Sequence, residues 1–498
     1  MDLSRTIITV CGIALVTGLM TASLLSDTAL LDWDTYQRIQ FITRYDATGV
    51  DTHILYHALL LGLIDMGVSP VTGVFAITSG SVGLLAATAW WVAAARGLRG
   101  RARRLVLGVF LLASPGFVAL TLMAEDNLSY LPPLLCFLHL ITAGPVTSSR
   151  ERLRGLMAGA ALAIAMLLNV TALIFLVIGP LAVLALILRR RAEAQRLFLA
   201  CLSFAVTYYG FYALSYAVAG WSAEPALHTY IWQAVSLQDF GENPIPTWSW
   251  VRVEHFAYGA RAMFLAPTAY RMDLPTWLSD GLLFYAPIMM IVLQGVLVWW
   301  TVKQQPEDTQ EQGAWPVITL AVFGVTLAFP YLYESLLIER WDMFWLCHFL
   351  WFISFVRTRP RMGVEVLACA LITLQIIGTG LVLQHHFGDQ FAKEGELELR
   401  TTIEQIRVKD RSLALFPADM DRQYVAHIGH HMPNGSIYLV DDKGPADVVC
   451  HRVSRILVES QVSCKRLGAR MHHLGGAFVH VDVGSSVVNF LVSEAQKH

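Results

Sequence analysis

The sequence predicts a polytopic α-helical membrane protein with about eleven spanning helices and a small soluble α/β domain at its C-terminal end. Three observations lead to this prediction. Of the 498 residues, 55% are hydrophobic and only 15% are charged, whereas soluble globular chains carry about 25% charged residues. The apolar residues form runs of nearly the length that crosses ~30 Å of hydrocarbon. The connections between these runs alternate between arginine-rich and arginine-poor.

The apolar runs define the predicted spans. The first run, Ile7 to Leu25, follows a single basic residue, Arg5, and lacks a clean small-residue cleavage site. We therefore expect a retained helix and not a signal peptide. The predicted spans cover residues 7–25, 70–95, 105–123, 129–145, 155–169, 171–188, 197–219, 281–302, 314–334, 342–356 and 363–385.

Arginine distribution predicts the topology. Every second connection is basic, and the sharpest cases are residues 96–104, 150–154, 189–196 and 357–361. The positive-inside rule places this set in the cytoplasm. The N-terminus is then cytoplasmic, and the intervening connections and the C-terminal end lie outside. A multi-pass protein of the cell inner (plasma) membrane is the predicted location.

Two domains follow from this topology. Residues 1–386 form the predicted transmembrane domain, with large external loops at 26–69 and 220–280. Residues 387–498 form an external soluble α/β domain. Its strand candidates are Ser412–Phe416, Ser436–Val440 and Ala477–Val483, and its helix candidates are 420–430 and 446–459. Amphipathic pieces of the first loop, including 53–66, are expected along the membrane surface.

Two cysteines, Cys450 and Cys464, lie in this C-terminal domain. An external location favours a disulfide between them, which would close a loop of about fifteen residues and contribute roughly 3 kcal/mol. Two separately buried thiols are the alternative. No Cys/His spacing typical of a zinc site occurs, and no basic domain suggests a nucleic-acid partner.

Polar residues at the predicted external ends are candidates for chemistry. Asp32 and Asp34 directly follow the first span, and His53 and His57 come about twenty residues later. A carboxylate at the membrane edge can have its charge state tuned and can face a lipid headgroup. The alternative is a solvated acidic loop whose aspartates cap helices.

Two tighter external turns add further candidates. Glu125, Asp126 and Asn127 occupy one turn, where they either line a cavity with the first loop or provide ordinary surface polarity. Arg340 lies in the last turn between spans, flanked by Glu339 and Asp342. A guanidinium there suits a lipid phosphate, and a salt bridge to a flanking acid is the alternative.

In this order, the features resemble the GT-C superfamily of membrane glycosyltransferases, which includes protein O-mannosyltransferases and the aminoarabinose transferase that modifies lipid A. The resemblance covers about residues 1–385. It consists of a cytoplasmic N-terminus, a long first external loop with an early acid, a second acidic external turn and an external C-terminal domain. The sequence departs from the family where His-Pro-Pro or His-Pro-Leu is usual, since it reads His53-Ile-Leu.

The resemblance implies an inverting glycosyltransferase, hexosyl- or pentosyl-transferring, that uses a polyprenyl-phosphate-linked sugar. The acceptor would be a lipid, glycan or protein on the external face. A divalent cation is possible, because only some relatives need one. The implied catalytic acids are Asp34, preferred as the base, with Asp32, Glu125 and Asp126; the phosphate-binding residues are Arg340, Arg261 and Arg271; the substrate-binding residues are His53, His57 and Asn127.

Two other classes of protein share a polytopic architecture. A lipid-linked saccharide flippase or transporter is expected to show paired repeats, or broken helices with charges near mid-membrane. The sequence shows neither feature. A non-catalytic membrane scaffold whose C-terminal domain binds a partner is the second alternative.

Overall fold

The chain divides into two compact units, a helical one and one that contains a small sheet. This computed structural model describes residues 3–26, 53–122, 124, 126–143, 148–188, 191–220, 228, 249–264, 315–332, 341–358, 362–388, 412–417, 435–440 and 479–482.

The helical unit contains long and short helices that follow one another closely. The α-helices are α1 (Leu3–Ser26), α2 (Ile54–Asp65), α3 (Pro70–Ala95), α4 (Gly100–Leu112), α5 (Pro115–Leu122), α6 (Leu131–Thr142), α7 (Ser148–Leu168), α8 (Ile178–Ile187), α9 (Arg191–Ala219), α10 (Trp250–Phe264), α11 (Trp315–Leu332), α12 (Asp342–Thr358) and α13 (Met362–Gly388). Two 3₁₀ segments, Asp126–Tyr130 and Val170–Val177, precede α6 and α8.

The described helices support a membrane-spanning unit. Four helical stretches are long and apolar enough to cross a bilayer, or up to five if the bent pair α4 and α5 forms one span. Each predicted span falls on a described helix except 281–302, which lies outside the described residues. Several of these helices are shorter than a bilayer crossing requires, so the number eleven and the orientation of the termini stay predictions.

The span predicted at 105–123 is broken. Helices α4 and α5 meet at an angle of 64°. Pro115 begins α5, where its missing N–H costs nothing, but its ring prevents α4 from continuing. The hydroxyl of Ser114 lies 3.2 Å from the Met263 carbonyl oxygen and accepts from the Phe117 amide at 3.3 Å. The buried break is thereby tied to α10.

Close helix pairs in this unit meet at glycines. Gly155 and Gly159 of α7 lie against the backbone of α9, where a Cβ would meet the carbonyl oxygens of Arg196 and Ala200. Gly83 of α3 lies in the same way against Ala14 of α1. In a bilayer the hydrophobic effect does not drive helices together, so they associate through close packing. Small residues permit this close packing because they let the helix backbones approach each other.

Arginines gather at one end of α6. The buried Arg196 side chain donates to the Ala143 carbonyl at 2.7 Å, and its Nε lies 3.4 Å from Oε2 of the buried Glu151. Arg154 lies 3.5 Å from the other oxygen of Glu151. Cations at a helix C-terminus interact favourably with its dipole and its last carbonyls. Three residues from two predicted cytoplasmic connections therefore meet in one buried cluster.

A third basic connection reaches the same end. Arg96, at the C-terminal cap of α3, donates from Nε to Nδ1 of His139 at 3.2 Å and from Nη2 to the Thr142 hydroxyl at 2.5 Å. The Trp91 ring lies edge-on to His139, with centroids 5.0 Å apart. The arginine-rich ends of α3, α7 and α9 thus share one end of the helical unit, as the topology prediction requires.

The second unit contains a three-stranded sheet of order β2-β1-β3, formed by β1 (Ser412–Pro417), β2 (Gly435–Val440) and β3 (Val479–Asp482). Strand β1 pairs parallel with β2 and antiparallel with β3. A parallel pair needs a crossover of a dozen or more residues, and the connection 418–434 is long enough. The strands lie where the sequence predicts them. The predicted helices lie outside the described residues, so the α/β domain remains a prediction.

Candidate functional site

The end of α6 opposite the arginines gathers polar side chains from several predicted external segments. We define the second external turn as residues 123–130 and the last external turn as residues 333–342. The second turn lies between α5 and α6, and the last turn lies between α11 and α12. Segment Asp126–Tyr130 packs against both α3 and α7, and helix α2 packs against the same two helices. The second external turn and α2 therefore share α3 and α7 as neighbours.

Helix α2 contributes two predicted substrate residues. His53 directly precedes the helix and His57 lies in its first turn, where the His57 amide donates to the His53 carbonyl at 3.0 Å. Both side chains are buried, with exposed fractions of 7% and 1%. The segment predicted to lie along the membrane surface therefore buries its polar N-terminal end in the bundle and exposes Leu59 and Met66.

The second external turn begins with an unusual backbone. Ala124 has φ 52°, a left-handed conformation that costs a non-glycine residue roughly 1 kcal/mol or more. Its side chain is fully buried, and its carbonyl accepts a long, 3.5 Å hydrogen bond from Thr78 of α3. The neighbouring Glu125 lies outside the described residues. Asp126 begins the 3₁₀ segment, and only its backbone is described.

The predicted binding residue Asn127 is held by another external turn. The Asn169 side-chain amide donates to Oδ1 of Asn127 in a short contact, and both side chains are buried. Oδ1 of Asn169 also accepts from the Thr171 amide at 2.9 Å and from the Thr171 hydroxyl at 2.7 Å, which caps segment Val170–Val177. This network joins the turn between α7 and α8 to the second external turn.

A second buried hydrogen bond joins the second and last external turns. The Tyr130 hydroxyl donates to Oδ1 of Asp342 at 2.6 Å, across a sequence separation of 212 residues. Asp342 is fully buried in the first turn of α12, where the helix dipole favours a negative charge. A hydroxyl donating to a carboxylate is a strong hydrogen bond in a water-poor site. Arg340, two residues before Asp342, lies outside the described residues.

Helix α10 carries two arginines, and its N-terminal part lies beside this end. The buried Arg252 donates to the Tyr331 carbonyl at 3.2 Å, and Phe256 packs against Trp341 with centroids 4.6 Å apart. The predicted phosphate-binding residue Arg261 is partly buried, and its Nε has no hydrogen-bond partner in the described part of the chain. Arg252 and Arg261 are nine residues apart, which places them on opposite faces of α10.

The remaining predicted site residues stay predictions. The structure describes His53, His57, Asn127 and Arg261 with their side chains. The predicted residues that lie outside the described part are Asp32, Asp34, Glu125, Arg271, Arg340, Cys450 and Cys464. Within the described ranges no group of three or more His, Cys, Asp or Glu is placed to hold a metal ion.

Sequence reasoning did not assign a site role to Tyr130, Asn169, Arg252 or Asp342. A local signal existed for Asn169, because Asn directly before an apolar run is a typical helix N-cap. No local signal links Tyr130 to Asp342, since their contact depends on the packing of α6 against α12.

Comparisons with known proteins return a structural likeness. No protein-family model and no curated protein sequence matches the chain. ArnT from Cupriavidus metallidurans in the apo state matches with a TM-score of 0.43 and 12% identity, covering 91% of this chain and 89% of that chain. ArnT from the same organism bound to undecaprenyl phosphate matches with a TM-score of 0.42 and 15% identity, covering 86% of each chain.

Both matches are to ArnT, and each extends over most of this chain. At TM-scores and identities this low, the likeness supports no inference about substrate or mechanism in this chain.

Proposed function

We propose that the protein is a membrane glycosyltransferase that moves a sugar from a polyprenyl-phosphate-linked donor to an acceptor on the external face of the inner membrane. One observation carries the proposal: His53, His57 and Asn127 are all buried, and the two elements that hold them both pack on α3 and α7. The family resemblance implied substrate binding for all three, which come from separate predicted external segments. Arginines from the cytoplasmic connections gather at the opposite end of α6, which supports an external site.

The proposed reaction is a single displacement at the anomeric carbon. The acceptor hydroxyl oxygen forms a bond to that carbon, the carbon–oxygen bond to phosphate breaks, and the polyprenyl phosphate leaves with the bonding electron pair. The acceptor proton passes to a carboxylate, with Asp34 preferred over Asp32, Glu125 and Asp126. A single displacement inverts the anomeric configuration.

A cation must hold the departing phosphate. Arg340, aided by Arg261 or Arg271, has this role in the proposal, because a guanidinium binds phosphate oxygens in a bidentate manner. The Nε of Arg261 is buried without a hydrogen-bond partner among the described residues. Burying such a donor is costly unless a partner arrives, so a phosphate oxygen would satisfy it. A site at the membrane edge also suits a donor that diffuses within the bilayer.

A transporter of lipid-linked saccharides is the second candidate, and the break between α4 and α5 is the observation that favours it. Broken helices were not expected from the sequence, and in transporters they often surround a substrate site. Here the break is occupied by the Ser114 hydroxyl, which contacts Met263 and Phe117. Ala113, Ser114 and Pro115, which form the break, are uncharged, and Arg261 lies two residues before Met263 on the helix that contacts them. We prefer the transferase because the three predicted substrate residues are buried away from this break.

The decisive experiment uses purified protein in lipid nanodiscs with defined polyprenyl-phosphate sugars and mixed lipid, glycan and peptide acceptors. We expect protein-dependent release of polyprenyl phosphate and a labelled product. Asp34→Asn should abolish release, while Asp65→Asn, an exposed aspartate on α2, should retain it. Movement of intact donor across liposomes without cleavage of the sugar–phosphate bond would favour the transporter. If the protein shows neither transfer nor transport, the result would favour the non-catalytic scaffold.

A further inference from the structure

The hydrogen bond between Tyr130 and Asp342 is the described side-chain contact that links the second and last external turns. The two residues are 1% and 0% exposed, so water does not compete for the bond. The hydroxyl–carboxylate distance of 2.6 Å lies in the range of about 2.5–2.7 Å that is typical of a charge-assisted hydrogen bond.

Packing fixes the Asp342 side of this bond. The preceding residue, Trp341, is fully buried, with its ring 4.6 Å from Phe256 and 6.0 Å from Phe344. Asp342 itself begins α12, which packs on α6. The end of the last external turn therefore cannot shift without disturbing an aromatic cluster.

The Tyr130 side is fixed by the rest of the second external turn. Tyr130 ends the 3₁₀ segment that begins at Asp126, and Asn127 in the same segment is held by Asn169. A 3₁₀ segment rises about 2 Å per residue, which puts the Asp126 backbone about 8 Å from that of Tyr130.

We infer that Asp342 is a positioning residue: by accepting the Tyr130 hydroxyl, it ties the start of α12 to the segment Asp126–Tyr130. The inference rests on the proposed function, in which residues next to these two elements in sequence hold the donor phosphate and contribute carboxylates. The bond joins the two elements from which those residues extend. Misplacing a reacting group by about 1 Å can lower the rate ~10²-fold. Asp342 acts through these elements and does not itself contact the reacting atoms.

The test compares variants that keep or remove the bond. Asp342→Asn keeps an oxygen acceptor for the Tyr130 hydroxyl but removes the charge, whereas Asp342→Ala and Tyr130→Phe remove the bond. We expect Asp342→Asn to keep kcat within about threefold of wild type. Tyr130→Phe and Asp342→Ala should each lower kcat roughly 10–100-fold, with a smaller change in the donor KM. Tyr216→Phe removes an exposed hydroxyl on α9 and serves as the matched control.

The double variant Tyr130→Phe/Asp342→Ala separates positioning from independent effects. If the two residues act through one bond, the double variant should be no slower than the slower single variant. Rates are measured per folded, monodisperse protein, so a purely structural role would lower yield or thermal stability while leaving kcat and KM near wild type. If Asp342→Ala does not fold, the kcat values of Tyr130→Phe and Asp342→Asn still show whether the hydrogen bond positions the two elements.

Three results would overturn the inference. Normal kcat in Tyr130→Phe would show that the bond does not position the two elements, while the transferase proposal would stand. Loss of activity in Asp342→Asn equal to that in Asp342→Ala would show that the charge of Asp342 acts directly. Absence of transfer by the wild-type protein with every donor would remove the proposed function and this inference with it.

Discussion

Replacing Gly159 of α7 by alanine should destabilise the helical unit, although alanine is the better helix former. A Cβ at this position would lie 2.7 Å from the Phe204 backbone nitrogen and 2.8 Å from Cβ of Ser203, and closer still to the Ala200 carbonyl oxygen. Two of these atoms belong to the α9 backbone and cannot rotate away. The helices must therefore move apart.

The magnitude is the difference between two effects. Forcing an extra methyl group into a closely packed contact costs about 1–3 kcal/mol. Exchanging glycine for alanine inside a helix gains about 0.5–1 kcal/mol. Because backbone atoms lie on the opposing side, the cost falls in the upper half of the first range, which leaves a net loss of about 1–2.5 kcal/mol. Because α7 ends at the Asn169 turn, separation of α7 from α9 should also weaken the Asn127–Asn169 contact and lower transfer activity.

Gly210 of α9 is the matched control. A Cβ there would meet no atom within 4 Å, so Gly210→Ala should gain only the helix-propensity term of about 0.5–1 kcal/mol. The assay is thermal unfolding of both variants in the same detergent, followed by fluorescence. We expect midpoints that move in opposite directions. A Gly159→Ala midpoint equal to or above that of Gly210→Ala would refute the close approach of α7 and α9.

Three further outcomes are expected. Asp34→Asn should lower the transfer rate ~10²–10⁴-fold while keeping donor binding, because it removes the base and preserves the size of the side chain. The rate is measured by product release, and a normal rate would assign the base role to another acid. Arg196→Met should lower the free energy of unfolding by about 3–5 kcal/mol, because it leaves the buried Glu151 carboxylate without this partner. Arg152 is exposed, so Arg152→Met should change the free energy of unfolding by less than about 0.5 kcal/mol in the same thermal assay. Cys450 and Cys464 should react with a membrane-impermeant thiol reagent on intact cells only after reduction; labelling of neither cysteine, even then, would contradict an external domain.

The helical architecture was largely predictable because a bilayer imposes a simple requirement. A span must be apolar over a known length, and that information is local in the sequence. The break at Ser114 was not predicted, because hydropathy along 105–123 stays high through Ser114 and Pro115. Only the helix-breaking chemistry of proline marks it, and proline is often tolerated in spans.

The strands of the second unit were predicted closely for a similar reason. Strand β1 was expected over Ser412–Phe416 and extends to Pro417, and β2 begins one residue before its predicted start. Short β-rich runs bounded by turn residues are also local signals. The parallel pairing of β1 with β2 and the antiparallel pairing with β3 required three-dimensional information.

The candidate site was predictable only in part. His53, His57 and Asn127 were selected because they lie at predicted external ends, and the family resemblance implied their role in substrate binding. Their burial was not predicted, and neither was the contact of Asn127 with Asn169. The Tyr130–Asp342 bond depends on α6 and α12 running side by side, which no pattern within either helix specifies.

The two ends of the helical unit are held together by different side chains. At the basic end, Glu151 lies between Arg154 and Arg196, and the Ala143 carbonyl takes a further hydrogen bond from Arg196. Two guanidinium groups hold the carboxylate of this cluster, and displacing it would leave buried charges unpaired. At the other end, the described contacts use amide, hydroxyl and carboxylate groups, together with the Arg252 guanidinium. The Nε of Arg261 has no hydrogen-bond partner among the described residues, which is why we propose this arginine for binding the donor phosphate.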